Sequence, residues 1–319
     1  MSRGSELERV ALLAATFGRQ AAGAPVGIGD DAAVLDAVDA PLVWTIDAQV
    51  EGTHFRLDWL TWHDVGWRSF MAAASDLAAM GASPVAALSA LVLADHVDDA
   101  ALDALATGQA EAARTVGAPV VGGNLARGAE VSVTTTVLGR VDRKGGGVLR
   151  SGARAGDGVY LAGAVGMAAA GLVALQSGAA GTSADIDACI EAWRRPRALI
   201  DEGLAMSTVA TAAVDVSDGL SRDAARIAEA SSVTLVLDEH LLRACASGQL
   251  ERAAAALGRD PLEFALGGGE DYALLVTSAS VPRGFARIGT VEPGGAGIVL
   301  ARADGTRVPV DPRGFDHFR

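Results

Sequence analysis

Carboxylates set against apolar, β-branched runs are what most restrict the fold available to this chain. Leu42-Val43-Trp44-Thr45-Ile46-Asp47 ends on one, and Val214-Asp215-Val216-Ser217-Asp218-Gly219 carries two. Asp76 stands in Ala73-Ala74-Ser75-Asp76-Leu77, and the pair Asp30-Asp31 follows Gly27-Ile28-Gly29 and leads into Ala32-Ala33-Val34-Leu35. A charge buried without compensation is costly, so such groups pair with cations, bind a metal or stay at a wet surface. For Asp30-Asp31 alone a solvated turn is the simpler reading. Recurrence along the chain instead suggests one polynuclear site for a hard divalent cation, holding several ions.

The pattern between these points alternates strand and helix. Ser5 and Glu8 stand at capping-box spacing before a helix that lasts to Gly18. Strands are expected over 41–47, 85–93 and 131–141, the last with one face exposed, and helices over 61–81 and 98–116. Pro119-Val120-Val121 then enters a glycine turn at Gly122-Gly123-Asn124. Beyond a glycine-rich charged linker at Arg143-Lys144-Gly145-Gly146-Gly147, further strands are expected over 156–163, 212–216, 233–237 and 273–277. A mixed tail follows. With 319 residues the chain is long for one core, so two domains are expected, 1–143 and 144–319.

Composition excludes several functions. A net charge of −13 argues against nucleic-acid or anionic-membrane surfaces, which require clustered Lys and Arg. No apolar run approaches the roughly 20 residues of a membrane span, and Met1 to Glu6 lacks a signal-peptide core, so a cytoplasmic location is expected. Cys189 and Cys245 are isolated and suit packing rather than zinc or a disulfide framework. Lys144 is the only lysine; with no Gly-Lys-Ser/Thr there is no P-loop, and no strand lysine of the protein-kinase type.

Magnesium suits the remaining ligands, since it takes carboxylate and water oxygens and usually bridges to phosphate. Glycine-rich turns at Gly122-Gly123, Gly163, Gly219 and Gly267-Gly268-Gly269 could let backbone N–H groups approach phosphate, although each alone also fits an ordinary turn. Arg150 could reach phosphate or form a surface ion pair. His54 is as compatible with a half-exposed structural histidine as with a ligand contact.

Taken together, Gly27 to Asp31, Asp47-Ala48-Gln49-Val50-Glu51-Gly52-Thr53-His54-Phe55, Ser75-Asp76-Leu77-Ala78-Ala79-Met80-Gly81-Ala82, Asp215-Val216-Ser217-Asp218-Gly219-Leu220 and Gly268-Gly269-Glu270-Asp271-Tyr272 occur in the order and spacing of thiamine-monophosphate kinases, a family the chain resembles over nearly its whole length. The resemblance implies a two-domain α/β (α+β) fold like that of aminoimidazole ribonucleotide synthetase: an N-terminal domain that pairs in a homodimer and a C-terminal α/β sandwich. It implies magnesium-dependent, direct transfer of the ATP γ-phosphoryl group to thiamine monophosphate, with no general base and no covalent intermediate. By motif position, Asp30, Thr45, Ile46 through its backbone, Asp47, Asp76, Asn124, Asp215 and Asp218 resemble the metal ligands. Gly123, Arg150 and Ser217 resemble nucleotide contacts, and His54, Glu270 and Phe315 substrate contacts.

Two departures stand out. The family usually has aspartate where this chain has Asn124, and a tyrosine before Gly108 where this chain has Ala106 and Thr107. Related hydrogenase-maturation proteins carry a C-terminal cysteine, and selenophosphate-synthesising proteins a reactive cysteine or selenocysteine with a lysine near the N-terminus. Neither pattern is present. A metal- and nucleotide-binding protein without turnover is the alternative outside catalysis.

Overall fold

The computed structural model describes residues 4–142, 146–312 and 314. The chain separates into two compact units, Met1–Leu77 with Ala82–Asp142, and Ala78–Gly81 with Arg143–Arg319.

The first unit runs α1 (Glu6–Phe17), β1 (Leu42–Val50), α2 (Trp62–Ala79), β2 (Ser83–Leu93), α3 (Asp99–Val116), β3 (Val120–Arg127) and β4 (Ser132–Arg140). Its sheet has the order β1-β4-β2-β3, with β4 antiparallel to both neighbours and β2 parallel to β3. The capping box predicted at Ser5 and Glu8 is present, and α3 is capped by Asp98 and closed by a left-handed Gly117. α2 and α3 touch backbone to backbone. A Cβ on Gly66 would stand 2.0 Å from the Leu105 carbonyl oxygen, and one on Gly108 equally close to that of His63.

β4 alternates as expected, with Val133, Thr135 and Val137 fully buried and the residues between them partly exposed, and it is an inner strand of the sheet. The glycine turn expected at Gly122-Gly123-Asn124 is instead part of β3, because parallel pairing with β2 carries the chain straight through these residues.

A layer of buried polar side chains ties both helices to the sheet. Gln109 on α3 donates through Nε2 to Ser69 Oγ on α2 and to Thr135 Oγ1 on β4, each at 3.2 Å, and accepts from Ser89 Oγ on β2 at 2.9 Å. Ser69 Oγ donates in turn to the Gly66 carbonyl at 2.9 Å. On the outward side of β1 the pleat presents Leu42, Trp44 and Ile46, with Trp44 72% and Ile46 67% exposed.

The second unit runs β5 (Gly158–Ala162), α4 (Met167–Ser177), α5 (Ala184–Arg194), α6 (Ile200–Met206), β6 (Ala212–Val216), α7 (Leu220–Ser231), β7 (Val233–Asp238), α8 (Glu239–Cys245), α9 (Gly248–Ala256), α10 (Pro261–Gly267), β8 (Ala273–Ser278), β9 (Ala286–Pro293), β10 (Gly297–Ala301) and β11 (Arg307–Pro309). Its sheet has the order β11-β10-β7-β9-β5-β8-β6; β7 and β10 are parallel, the other pairs antiparallel. Every residue of β5, β6 and β8 is buried. Apolar layers cover both faces there, one with Leu161, Val214, Ile227 and Leu275, the other with Tyr160, Met206, Leu274 and Phe285.

Cys189 is fully buried among Ile186, Ile190, Leu250 and Phe264 of a satellite core, and burial pushes its thiol up to about 11. That is a packing role. No helix among the described residues is long and apolar enough to cross a membrane.

Candidate active site

In the first unit the candidate ligands gather on β1 and α2. Thr45, Ile46 and Asp47 pair across to Val137, Thr136 and Thr135 of β4, so Thr45 and Asp47 face the helices while Ile46 faces outward. Thr45 Oγ1 donates to Asp76 Oδ2, which joins the strand to α2. Asp47 accepts from the Ala48 N–H at 2.8 Å. Burial raises the Asp47 carboxyl above the ordinary carboxylate range; the Ala48 N–H opposes this and the Asp76 charge adds to it.

Arg68, fully buried on α2, exerts an opposing pull on Asp47. Sequence reading passed it over. Its signal is an arginine between Trp67 and Ser69, the one basic residue in a helical stretch from Val65 to Leu77 that is mostly apolar.

Other predicted residues of this unit surround the strand ends. His54 lies in the loop after β1, and its Nδ1 accepts from the Val50 N–H at 3.1 Å, which places the imidazole proton on Nε2. Asp30 is exposed and accepts from the Asp31 N–H at 2.9 Å. Gly123 and Asn124 are exposed on β3, opposite Ser89 and Ala90 of β2. A Cβ on Gly123 would stand 1.8 Å from the Ser89 carbonyl oxygen, so only glycine fits. Among the described residues no three acidic, histidine or cysteine groups converge on one point; the pair brought together is Asp47 with Asp76.

In the second unit, β6 delivers a buried Asp215, paired across to Leu274, and the chain then turns at Ser217-Asp218-Gly219. The N–H groups of all three turn residues donate to one oxygen of Asp223, at 3.0, 3.0 and 3.2 Å. Asp223 is completely buried; burial raises its carboxyl to about 6, against the pull of Arg226. Arg226 bridges Asp223 and Asp218, and Arg222 Nε stands 3.8 Å from Asp218. Asp218 is thus ion-paired to arginine here. Asp223 and Arg226 escaped sequence reading, although their spacing of three in the first turns of a helix was available as a signal.

The Gly268 to Tyr272 stretch runs beside that turn. Glu270 N–H donates to the Ser217 carbonyl at 2.7 Å, and Tyr272 N–H to that of Val216 at 2.8 Å. Glu270 and Tyr272 have φ of +65° and +51°. Asp271 caps α4 from a distance in sequence, accepting from Gly166 N–H at 2.7 Å and Ala168 N–H at 3.1 Å.

The main chain at Arg150 is fixed beside β6 and α7: its carbonyl accepts from Ser231 Oγ at the far end of α7, and the Leu149 carbonyl accepts from the Ala213 N–H. Phe315 lies outside the described residues.

Comparison with known proteins follows the same division. Residues 29–141 match the model of the AIR synthase related protein N-terminal domain, and residues 154–302 that of the C-terminal domain. A thiamine-monophosphate kinase of Mycobacterium tuberculosis is 38% identical over 88% of this chain and 84% of its own. That of Escherichia coli K12 is 35% identical over 92% of each. Among solved structures, a thiamine-monophosphate kinase from Stenotrophomonas maltophilia K279a has a TM-score of 0.81 at 33% identity, over 94% of this chain and 95% of its own. AaThiL complexed with AMPPCP and TMP has a TM-score of 0.79 at 30% identity, over 100% and 99%. The hydrogenase maturation protein HypE in complex with ATP, at 20% identity and a TM-score of 0.78, shares the fold.

Proposed function

The chain belongs to the AIR synthase related family and to its thiamine-monophosphate kinases, and on that premise we propose that it transfers the γ-phosphoryl group of ATP directly to thiamine monophosphate, giving thiamine diphosphate and ADP. The observation that carries the chemistry is the Thr45, Asp47 and Asp76 cluster: hard oxygen donors on adjoining elements, with one carboxyl raised by burial and by its acidic neighbour.

Such a donor set fits magnesium, whose binding would relieve the repulsion between Asp47 and Asp76. In the first unit Asp30, Thr45, Asp47, Asp76, Asn124 and the Ile46 carbonyl would hold it; Asp215 and Asp218 are the candidate ligands of the second unit. When bound, the ion supplies charge neutralisation of phosphate oxygens. Asn124 offers a carbonyl oxygen in place of a carboxylate and lowers the charge there by one.

The rest is done by the chain's own groups. Gly123, exposed on β3, contacts the nucleotide through its backbone. Ser217 and Arg150 contact the nucleotide, and His54, Glu270 and Phe315 hold thiamine monophosphate, whose ring cation suits the Glu270 carboxylate and the Phe315 face. The acceptor is itself an ionised phosphate, so no base is needed to prepare it, and the transfer passes through no phosphoenzyme. Residues 1–143 form the metal- and nucleotide-binding and dimerisation domain, and residues 144–319 the C-terminal α/β domain.

The exposed apolar row of Leu42, Trp44 and Ile46 supports a homodimer joined through β1. A cytoplasmic location accords with an acidic chain whose substrates are soluble phosphates. The test is a coupled assay with ATP, magnesium and thiamine monophosphate, using chelator and unphosphorylated thiamine as controls. Magnesium-dependent thiamine diphosphate formation from the monophosphate is expected. ATP binding without product would overturn the reading in favour of a non-catalytic binding protein.

A further inference from the structure

We infer that Trp193 is a positioning residue that fixes the Glu270 carboxylate for the cationic ring of the substrate. Trp193 lies on α5, is 2% exposed, and donates through Nε1 to Glu270 Oε2 at 2.5 Å, across 77 positions of sequence. The inference rests on the reading that Glu270 touches thiamine monophosphate.

The main chain at Glu270 is held independently. A non-glycine residue at φ +65° occupies a backbone region that costs of order 1 kcal/mol or more and persists where its surroundings enforce it. Here the Glu270 N–H is bound to Ser217, the Tyr272 N–H to Val216, and the Asp271 carboxylate to the first N–H groups of α4. Gly269 runs so close to the turn that a Cβ there would stand 2.5 Å from the Ser217 carbonyl oxygen. Backbone placement therefore does not depend on α5. The tip of the side chain is anchored by the hydrogen bond from the buried, rigid indole of α5.

A glutamate left to rotate must be ordered again each time substrate binds, which weakens binding without altering the transfer itself. The effect should fall on thiamine monophosphate and leave ATP alone.

Trp193→Phe removes the N–H and keeps most of the ring. The expected result is a rise of about tenfold in KM and in calorimetric Kd for thiamine monophosphate, with kcat and the KM for ATP unchanged. Trp193→His, which retains an N–H donor, should fall between the two and provides a second variant if the phenylalanine one does not fold. In a Glu270→Ala background, Trp193→Phe should have no further effect on thiamine monophosphate. Equal affinities for wild type and Trp193→Phe, or a parallel rise in the KM for ATP, would overturn the role of Trp193. Wild-type protein that does not bind thiamine monophosphate would instead overturn the functional reading beneath it.

Discussion

Gln109→Leu would strike the polar layer that joins α2 and α3 to the first sheet. Leucine nearly matches glutamine in volume but can neither donate to Ser69 and Thr135 nor accept from Ser89. Ser69 keeps its bond to the Gly66 carbonyl, so the stranded hydroxyls are those of Ser89 and Thr135, both buried. At about 1–3 kcal/mol for each buried polar group left unsatisfied, the expected loss is roughly 2–6 kcal/mol. At about 2–4 °C per kcal/mol, a central loss of about 4 kcal/mol lowers Tm by on the order of 10 °C. The stronger test is the companion variant Gln109→Leu with Ser89→Ala and Thr135→Val. Removing all the polar partners together abolishes the stranding, so it should recover most of the loss. Urea unfolding of the three proteins, compared at equal m value, measures both steps. A single variant within 1 kcal/mol of wild type, or a triple variant less stable than the single, would refute the stranding argument.

Three further outcomes are expected. Burial raises the Asp271 carboxyl from 3.8 to about 7, so between those values the folded protein holds a proton that the unfolded chain has released. Its contribution is present in full below pH 4 and is lost as pH rises through 7; Asp271→Asn should remove that slope from the urea midpoint measured across the range. Asp76→Asn retains an acceptor for Thr45 and takes away a charge that raises Asp47, so without metal its Tm should equal or exceed that of wild type. It should also lose the Tm gain on adding magnesium with ATP, and activity should fall about a hundredfold or more, the scale of losing one electrostatic stabiliser of the transferring group. Trp44→Asp puts a charge in the exposed apolar row, and sedimentation velocity should show a monomer where wild type sediments as a dimer.

The helices and principal strands of the first unit could be read directly, because caps such as Ser5, Asp98 and Gly117 act over a few residues and the apolar periodicity is strong. The fold and family were legible for a different reason: the acidic motifs recur in a fixed order along the chain. Gly122-Gly123 was misread as a turn because glycine is also what a strand requires when a neighbouring backbone comes too close for a Cβ, and only pairing with β2 distinguishes the two. β9 and β10 were lost in an apparently mixed tail because their pairing partners, β5 and β7, lie far away in sequence, and β11, an edge strand of three residues, pairs only with β10. Arg68 and Asp223 left only weak signals in the sequence, and Gln109 and Trp193 left none. Each looks like an ordinary helical residue until tertiary packing closes around it, and what it does there depends on residues distant in the chain or on complete burial.

β1 carries two assignments on one pleat. Thr45 and Asp47 turn toward the helices, while Leu42, Trp44 and Ile46 turn outward. A strand alternates sides with a period of two, so a single-residue insertion ahead of Leu42, if the register with β4 slipped to absorb it, would exchange the two sets at once. The Asp47 carboxylate would turn to the outer face, and tryptophan and isoleucine would turn toward the helices. Insertions of one residue in this strand are therefore forbidden twice over, whereas an insertion of two would preserve the alternation and only displace the ligands along it. Within such a protein, evolution can lengthen β1 in pairs or not at all.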